Sequence, residues 1–357
     1  MDERIRVAVL AATGAVGQRF VSLLTDHPWF EVAVVTGSGR SAGRQYGEAV
    51  NWVVPGEIPA GVADLTVQPT NVAALEGEGV RLVFSALPSG VAREAEPEMA
   101  RAGFVVCSNA SALRMEPDVP LLIPEINADH VKLIEAQRAR RNWEGLIVTS
   151  PNCSTTGIVF PLKALDDAFG LSQVHAVTMQ AISGAGYPGV ASFDILDNVI
   201  PYIKGEEEKV ESEPRKLLGR LEGDAIRMAD FVVSAQTHRV PVMDGHLAAM
   251  SVGLEREASP GEVREALAAF RGPEIVRGLP SAPTHPMIVR EEPDRPQPRR
   301  DRDAEAGMAI TVGRVQPCPV LDVKLVSLVH NTLRGAAGGA ILNAELLVAS
   351  GYLAASD

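Results

Sequence analysis

IRVAVLAATGAVGQRFVSLLTDHP, residues 5–28, reads as three elements in direct succession. Residues 5–10 are a compact apolar run, residues 11–18 carry Gly14 and Gly17, and residues 19–28 set apolar side chains at helical spacing. Strand, glycine turn and helix in that order open a βαβ unit. Ala11 to Gly17 matches G-x-x-G-x-x-G with alanine at the first position. Ala11 is therefore expected at negative φ, where a Cβ is tolerated. Such a turn points backbone N–H groups and a helix N-terminus at a pyrophosphate, and its last glycine lets helix and strand approach closely. Thr13, Gly14, Ala15 and Val16 are its candidate cofactor contacts.

The same pattern repeats downstream. EVAVVTGSG (31–39), VRLVFSALPSG (80–90) and FVVCSNAS (104–111) are apolar runs ending in small polar residues, as in a parallel sheet covered on both faces. Residues 1–150 are read as a doubly wound, Rossmann-type domain. The second strand ends in Ser38, Arg40 and Ser41 with no Asp or Glu for a ribose hydroxyl. Hydroxyls beside an arginine suit a 2′-phosphate, so the expected cofactor is NADP(H).

Past residue 150 the texture changes. VHAVTMQAIS (174–183), FVVSAQTHRVPV (231–242) and HLAAMSVGL (246–254) are longer strand candidates with longer connections, which predicts a mixed, largely antiparallel sheet. SPGEVREALAAF (259–270) has the signs of a capped helix, with Ser259 as N-cap and Glu262 three residues on. Residues 291–307, charged and Pro-rich, are expected to be a surface loop. The segment 335–350 reads as a helix apolar on one face that returns to the first domain. The expected architecture is α/β: an N-terminal cofactor domain (1–150 plus a C-terminal helix, 335–357) and an α+β catalytic and dimerisation domain (151–334).

Composition bounds the function. Hydrophobic residues at 46% and charged residues at 22% are those of an ordinary globular protein, and a net charge of −12 excludes a general phosphate-backbone binder of nucleic acid. No run approaches the length of a membrane span. The cysteines are Cys107, Cys153 and Cys318, too scattered for a disulfide framework or a zinc site. A reduced, cytoplasmic setting and no metal are expected.

Ser150-Pro-Asn-Cys-Ser-Thr-Thr-Gly157 places Cys153 just before a helix-like run. A helix N-terminus stabilises a thiolate, which makes Cys153 a candidate nucleophile. Cys107 and Cys318 read as small buried hydrophobes. Five further stretches stand in order: Met179 to Gly186 with Gln180, Arg239 to His246, Ser108 to Met115 with Arg114, Gly205 to Lys209 with Glu206, and Asn331 to Gly339.

Together these segments, which extend over nearly the whole chain, resemble the aspartate-β-semialdehyde dehydrogenase family, in the archaeal and fungal branch that is also similar to malonyl-CoA reductases. The resemblance implies reduction of an acyl phosphate by NADPH through a thioester on Cys153. His246 would be the acid/base, taking the thiol proton, and Gln180 a further catalytic residue. Arg239 would grip the substrate carboxylate, Arg114 and Lys209 its phosphate, and Glu206 its ammonium, with Asn152 beside Cys153 helping to steady an oxyanion. Ser183, Gly184 and Asn331 would face the cofactor. A homodimer or homotetramer is implied, with the apolar run 315–329 as a candidate interface. The rival readings are a malonyl-CoA or other acyl-CoA reductase, a more distant N-acetyl-γ-glutamyl-phosphate reductase, and an NADP-binding sensor without chemistry. Glu206 argues for an amino-acid substrate, because malonyl-CoA has no ammonium to pair with it.

Overall fold

The computed structural model describes residues 4–354; the outermost parts of the expected units, 1–3 and 355–357, lie outside the described residues. β1 (Ile5–Leu10), β2 (Phe30–Gly37), β3 (Gln68–Pro69), β4 (Leu82–Ser85), β5 (Val105–Ser108) and β6 (Leu146–Thr149) form one sheet. Its order is β3-β2-β1-β4-β5-β6 and every pairing is parallel. Every residue of β4, β5 and β6 is buried, as a sheet covered on both faces requires. The strand order reverses between β1 and β4, so the ligand crevice lies beyond their carboxyl ends.

The turn after β1 corrects one expectation. Ala11 sits at φ 53°, in the left-handed region rather than at negative φ, and its carbonyl accepts from Gly14 N–H at 3.0 Å. The turn is held from behind by the buried Tyr46, whose hydroxyl donates to Ala12 O at 2.9 Å. Gly17 begins the close approach of the Ala15–Leu24 helix to β1: a Cβ there would lie 2.3 Å from Ala11 O and 2.6 Å from Ala12 Cα.

After β7 (Leu171–Gln180) come a small hairpin, β8 (Arg220–Glu222) and β9 (Ala225–Arg227), then β10 (Val232–Arg239), β11 (His246–Leu254), β12 (Met287–Val289), β13 (Ile310–Pro317) and β14 (Val323–Val329). The second large sheet runs β10-β7-β11-β14-β13-β12, parallel at both edges and antiparallel between. Val174, Ala176, Ala248 and Met250 turn one face onto the Cys153–Phe169 helix through Ile158, Val159 and Leu162. On the other face Val177, Met179, Leu247, Ala249 and Val326 remain only half-buried. The Ser259–Glu262 capping box is present as expected.

Two other expectations change, those for the final helix and for the burial of Cys318. The final helix spans Gly338–Ala349, follows a π-turn at Leu333–Ala337, and ends near Gly351 at φ 78°. It is buried nearly all round rather than on one face: Ile341, Leu342, Leu346 and Leu347 join Val7 and Phe84 in the first sheet's core, and buried Glu345 accepts from His27 Nε2 at 2.9 Å and from Ser281 N–H. The 291–307 segment is a largely exposed loop as expected, ordered around buried Asp301, which accepts from Arg295 Nε and Gln297 N–H, each at 2.7 Å. In the run 315–329, Val323, Leu325, Leu328 and Val329 are buried, Val326 lies on the half-buried face opposite Ala249, and Val320 is exposed at the hairpin tip. Cys318 beside it is part-exposed, whereas Cys107 is buried. Among the described residues no helix is long and apolar enough to cross a membrane.

Gly17→Ala is expected to cost about 2–3 kcal/mol, because backbone rather than a flexible side chain blocks the added methyl. Chemical denaturation of the wild type and the variant measures it; equal midpoints would contradict the packing described.

Candidate active site

The second half of the chain begins at the carboxyl edge of the first sheet, where β6 leads into Ser150–Asn152 and the Cys153–Phe169 helix. Asn152 is the N-cap, its Oδ1 accepting from Ser154 N–H (2.9 Å) and Thr155 N–H (3.2 Å). Cys153 therefore occupies the first helical position, at the floor of a cleft of about 340 Å³ between the two sheets. Of the predicted residues, Val16, Arg114, Asn152, Cys153, Ser183, Gly184, Lys209 and Asn331 line that cleft. Gln180 and Arg239 end the paired strands β7 and β10, and His246 begins β11. All three are buried behind the cleft. Gly184 links the two groups: a Cβ on it would lie 2.8 Å from Arg239 Nη1 and 2.9 Å from His246 Nε2.

The charged groups converge on Cys153. Glu206 Oε2 accepts from Asn152 Nδ2 at 2.7 Å and Gln180 Nε2 at 3.3 Å, and Oε1 accepts from Lys209 Nζ at 2.7 Å. Burial pushes its carboxyl up, but Lys209 and the two amides outweigh that and hold it below the usual carboxylate range. Arg114 donates through Nη1 to Glu213 Oε1 at 3.0 Å and through Nη2 to Asn109 O at 2.8 Å. Arg239 donates through Nη1 to Ala181 O at 2.7 Å.

Three details depart from the sequence reading. Burial pushes the Cys153 thiol up to about 12, aided by Glu206 and opposed by Arg114, Arg239 and Ser154 N–H, so the resting group is a thiol despite its helix N-terminus. Asn152 N–H is not free for an oxyanion, since it donates to Glu213 Oε2 at 2.6 Å. Cys153 N–H, with no acceptor inside its helix, is the backbone donor that remains. Burial, with Arg239 and His330, drives His246 down to about 3, so its ring is neutral. Its Nδ1 accepts from Ala181 N–H at 3.0 Å, which places the proton on Nε2, an atom with no partner among the described residues. In this arrangement His246 is a donor, and it can take a thiol proton only after its ring leaves Ala181.

At the cofactor end, Thr13, Ala15 and Val16 are half-buried and Gly14 exposed, around the N-terminus of the Ala15–Leu24 helix. Ser38 and Arg40 are exposed at the end of β2, and Arg40 has no hydrogen bond or ion pair among the described residues. Ser41 is buried and donates to Ser38 O at 3.1 Å, shaping the loop. Asn331 is a brace: Oδ1 accepts from Gly245 N–H and Nδ2 donates to Ser183 Oγ, both at 2.8 Å. A phosphate-bearing dinucleotide fits this end, with a glycine cradle, outward helix amides and an unpaired arginine. Among the described residues no group of three or more His, Cys, Asp or Glu could hold a metal ion.

Sequence reasoning missed three participants. Asn109 borders the cleft with both side-chain amide atoms buried and unpartnered. Gly335 packs on the nucleophile, where a Cβ would lie 2.7 Å from Cys153 Cβ. Both lie inside segments already singled out. Glu213 carried no such signal, because a Glu/Lys run on a helix ordinarily reads as a solvated face.

Known proteins match throughout. Residues 6–134 match the model of the semialdehyde dehydrogenase NAD binding domain, and residues 162–334 that of the semialdehyde dehydrogenase dimerisation domain. An aspartate-semialdehyde dehydrogenase from Archaeoglobus fulgidus is 54% identical over 97% of this chain and 98% of its own length. A malonyl CoA reductase (NADP) from Metallosphaera sedula is 40% identical over 99% of each. The crystal structure of aspartate semialdehyde dehydrogenase with NADP from Candida albicans superposes with a TM-score of 0.90 at 39% identity, covering 98% of this chain and 100% of that one.

With its thiol held near 12, Cys153 in the ligand-free protein is expected to be alkylated by iodoacetamide at a rate that rises about tenfold per pH unit from pH 7 to about 9.5. Mass spectrometry of the Cys153 peptide separates it from Cys318. A plateau by about pH 8 would show a thiolate already formed.

Proposed function

The chain belongs to the semialdehyde dehydrogenase family, and we propose that it reduces L-aspartyl 4-phosphate to L-aspartate 4-semialdehyde and phosphate, reversibly, with NADPH. The observation that carries this reading is the convergence of Arg114, Arg239, Lys209 and Glu206 around the Cys153 thiol. An acyl phosphate bearing an α-carboxylate and an α-ammonium needs two anion grips and one cation grip about a nucleophile. Arg239, with its planar fork, is suited to the carboxylate, Glu206 to the ammonium, and Lys209 with Arg114 to the phosphate.

Cys153 Sγ attacks the acyl carbon and the C–O bond to phosphate breaks, the phosphate leaving with the thiol proton. A protonated resting thiol is consistent with that step. NADPH, when bound, supplies the hydride that converts the thioester carbon to a tetrahedral hemithioacetal. His246 Nε2–H and Cys153 N–H are the donors assigned to its oxyanion. Gln180, fixed to Glu206, holds the ammonium grip in place. The C–S bond then breaks, releasing the aldehyde, and the Cys153 thiolate regains a proton. Ser38, Arg40 and the Thr13–Val16 turn hold the NADP phosphates, while Ser183, Gly184 and Asn331 form the wall at the reacting end.

We assign residues 1–150 with the C-terminal helix to the cofactor and 151–334 to catalysis and dimerisation, and place the enzyme in the cytoplasm, where free cysteines persist. The second copy would cover the half-buried sheet face around Val177 and Ala249, together with Tyr187, Phe193 and Tyr202, which are 61–99% exposed. The run 315–329 contributes Val326 to that face, opposite Ala249, while Val323, Leu325, Leu328 and Val329 are internal. The malonyl-CoA reading has one point in its favour, the Metallosphaera relative; against it stands Glu206, a buried carboxylate that substrate lacks the charge to pair.

Phosphate-dependent reduction of NADP⁺ by aspartate semialdehyde is the expected activity, assayed beside malonyl-CoA-dependent oxidation of NADPH. Turnover only with the CoA substrate would move the substrate, and turnover with neither would end the enzyme reading. Cys153→Ala should abolish turnover and leave NADPH affinity within about twofold; retained activity would exclude the thioester. Val177→Glu should shift the sedimenting species to monomer, and an unchanged oligomer would place the interface elsewhere.

A further inference from the structure

The Glu206–Leu217 helix turns four charged side chains, Glu206, Lys209, Glu213 and Lys216, toward the site at intervals of three, four and three residues. Such spacing is one face of a helix. Lys209 lines the cleft, and Glu206 accepts from its Nζ at 2.7 Å. Lys216 is buried and donates to three carbonyls of the loop that follows Arg114: Arg114 O and Glu116 O at 2.7 Å and Val119 O at 2.8 Å. Glu213 lies between them, 1% exposed, with neither oxygen available to solvent or substrate. Oε1 accepts from Arg114 Nη1 and Oε2 from Asn152 N–H, at 3.0 and 2.6 Å.

We propose that Glu213 is the positioning residue of the phosphate end: one carboxylate fixes the Arg114 guanidinium against the peptide that precedes Cys153. This rests on the reading of Arg114 as a phosphate ligand. The two groups come from different halves of the chain, the loop after β5 and the junction after β6, and no other side chain touches both through a hydrogen bond among the described residues. Arg114 is itself buried, and its Nε has no partner. Without Glu213 this cation would stand uncompensated in the interior and turn toward another acceptor. With it, the guanidinium keeps one orientation at the cleft wall, and its distance to the thiol is set before substrate arrives. That is preorganisation of a binding group by a residue that never touches the ligand.

The amide isostere separates this from a packing role. Glu213→Gln has the same shape, but its NH₂ must face either the guanidinium or Asn152 N–H, donor against donor, whichever way it is turned. In the phosphorylating direction we expect the KM for phosphate to rise at least about tenfold, the scale of losing a hydrogen bond to a charged group, with the KM for NADP⁺ within about twofold of wild type. Glu213→Asp keeps the charge but is too short to reach both partners, so it should raise the phosphate KM in the same selective way; it serves if the Gln variant does not fold. An unchanged phosphate KM in a folded variant would overturn the proposal. So would a parallel rise in both KM values with a lowered melting midpoint, which marks a structural role alone. Wild-type protein lacking phosphate-dependent turnover would instead overturn the assignment of the reaction, and this proposal with it.

Discussion

The junction at Asn152–Cys153 is the constraint on which the rest of the site depends. Asn152 uses all of its polar groups within the chain. Oδ1 starts the helix, Nδ2 holds Glu206, N–H holds Glu213, and its carbonyl accepts from Thr156. One residue therefore fixes the nucleophile's position, the direction of the helix behind it, and the helix that bears the substrate-facing charges. The junction also lies where β6 ends, at the carboxyl edge of the parallel sheet, so the cofactor crevice and the thiol share one wall. Beyond capping its own helix, Asn152 ties Glu206 and Glu213 of the Glu206–Leu217 helix to the cap itself.

Electrostatics around the thiol then follow from burial more than from the helix end. The partial positive charge of a helix N-terminus is worth at most about 2 kcal/mol, and Glu206 opposes it. A thiolate in the resting site would stand against that carboxylate with two arginines already occupied by Glu213 and Ala181 O. The resting thiol is therefore protonated, and in the proposed reaction an anionic acyl phosphate would engage the cations and supply an acceptor for the proton. His246 fits the same logic. Beside Arg239 a charged imidazolium is disfavoured, so the ring offers a neutral Nε2–H. In that reading reactivity would be coupled to occupancy, and a protonated thiol in the ligand-free protein would be less open to oxidation.

The first sheet was legible because its strands are short, fully buried runs separated by glycine turns, and the Ser259 cap because its chemistry is local. Cys153, Arg239 and His246 were legible as residues, through their spacing. What escaped was anything set by the surroundings of a side chain. Ala11 at φ 53° depends on the carbonyl contact to Gly14 and on Tyr46 pinning Ala12. The final helix looked one-sided until the first sheet's core and His27 closed around it. The 291–307 loop looked solvated because Asp301 and Arg295 are charged, yet as a pair one of them is buried.

The net charge of −12 and two anionic ligands are reconciled by the same residues. A chain with an excess of carboxylates gains nothing by distributing cations evenly over its surface, since screened charges there add little. Inside, two of these cations carry a counter-charge in the ligand-free state, Arg114 with Glu213 and Lys209 with Glu206, while the buried Arg239 is held by the Ala181 carbonyl. The two pairs differ in exposure, and that difference decides what each can do. Glu213 is sealed and permanent, so it can only orient. Lys209 lines the cleft and Glu206 is bound to it, so in the proposed reaction an ammonium at the carboxylate and a phosphate at the lysine would exchange partners with them. In the proposed reaction substrate would replace one internal ion pair by two and give the buried Arg239 a carboxylate partner, so that uptake of a zwitterionic phosphate adds counter-charges to an acidic protein's interior rather than removing them.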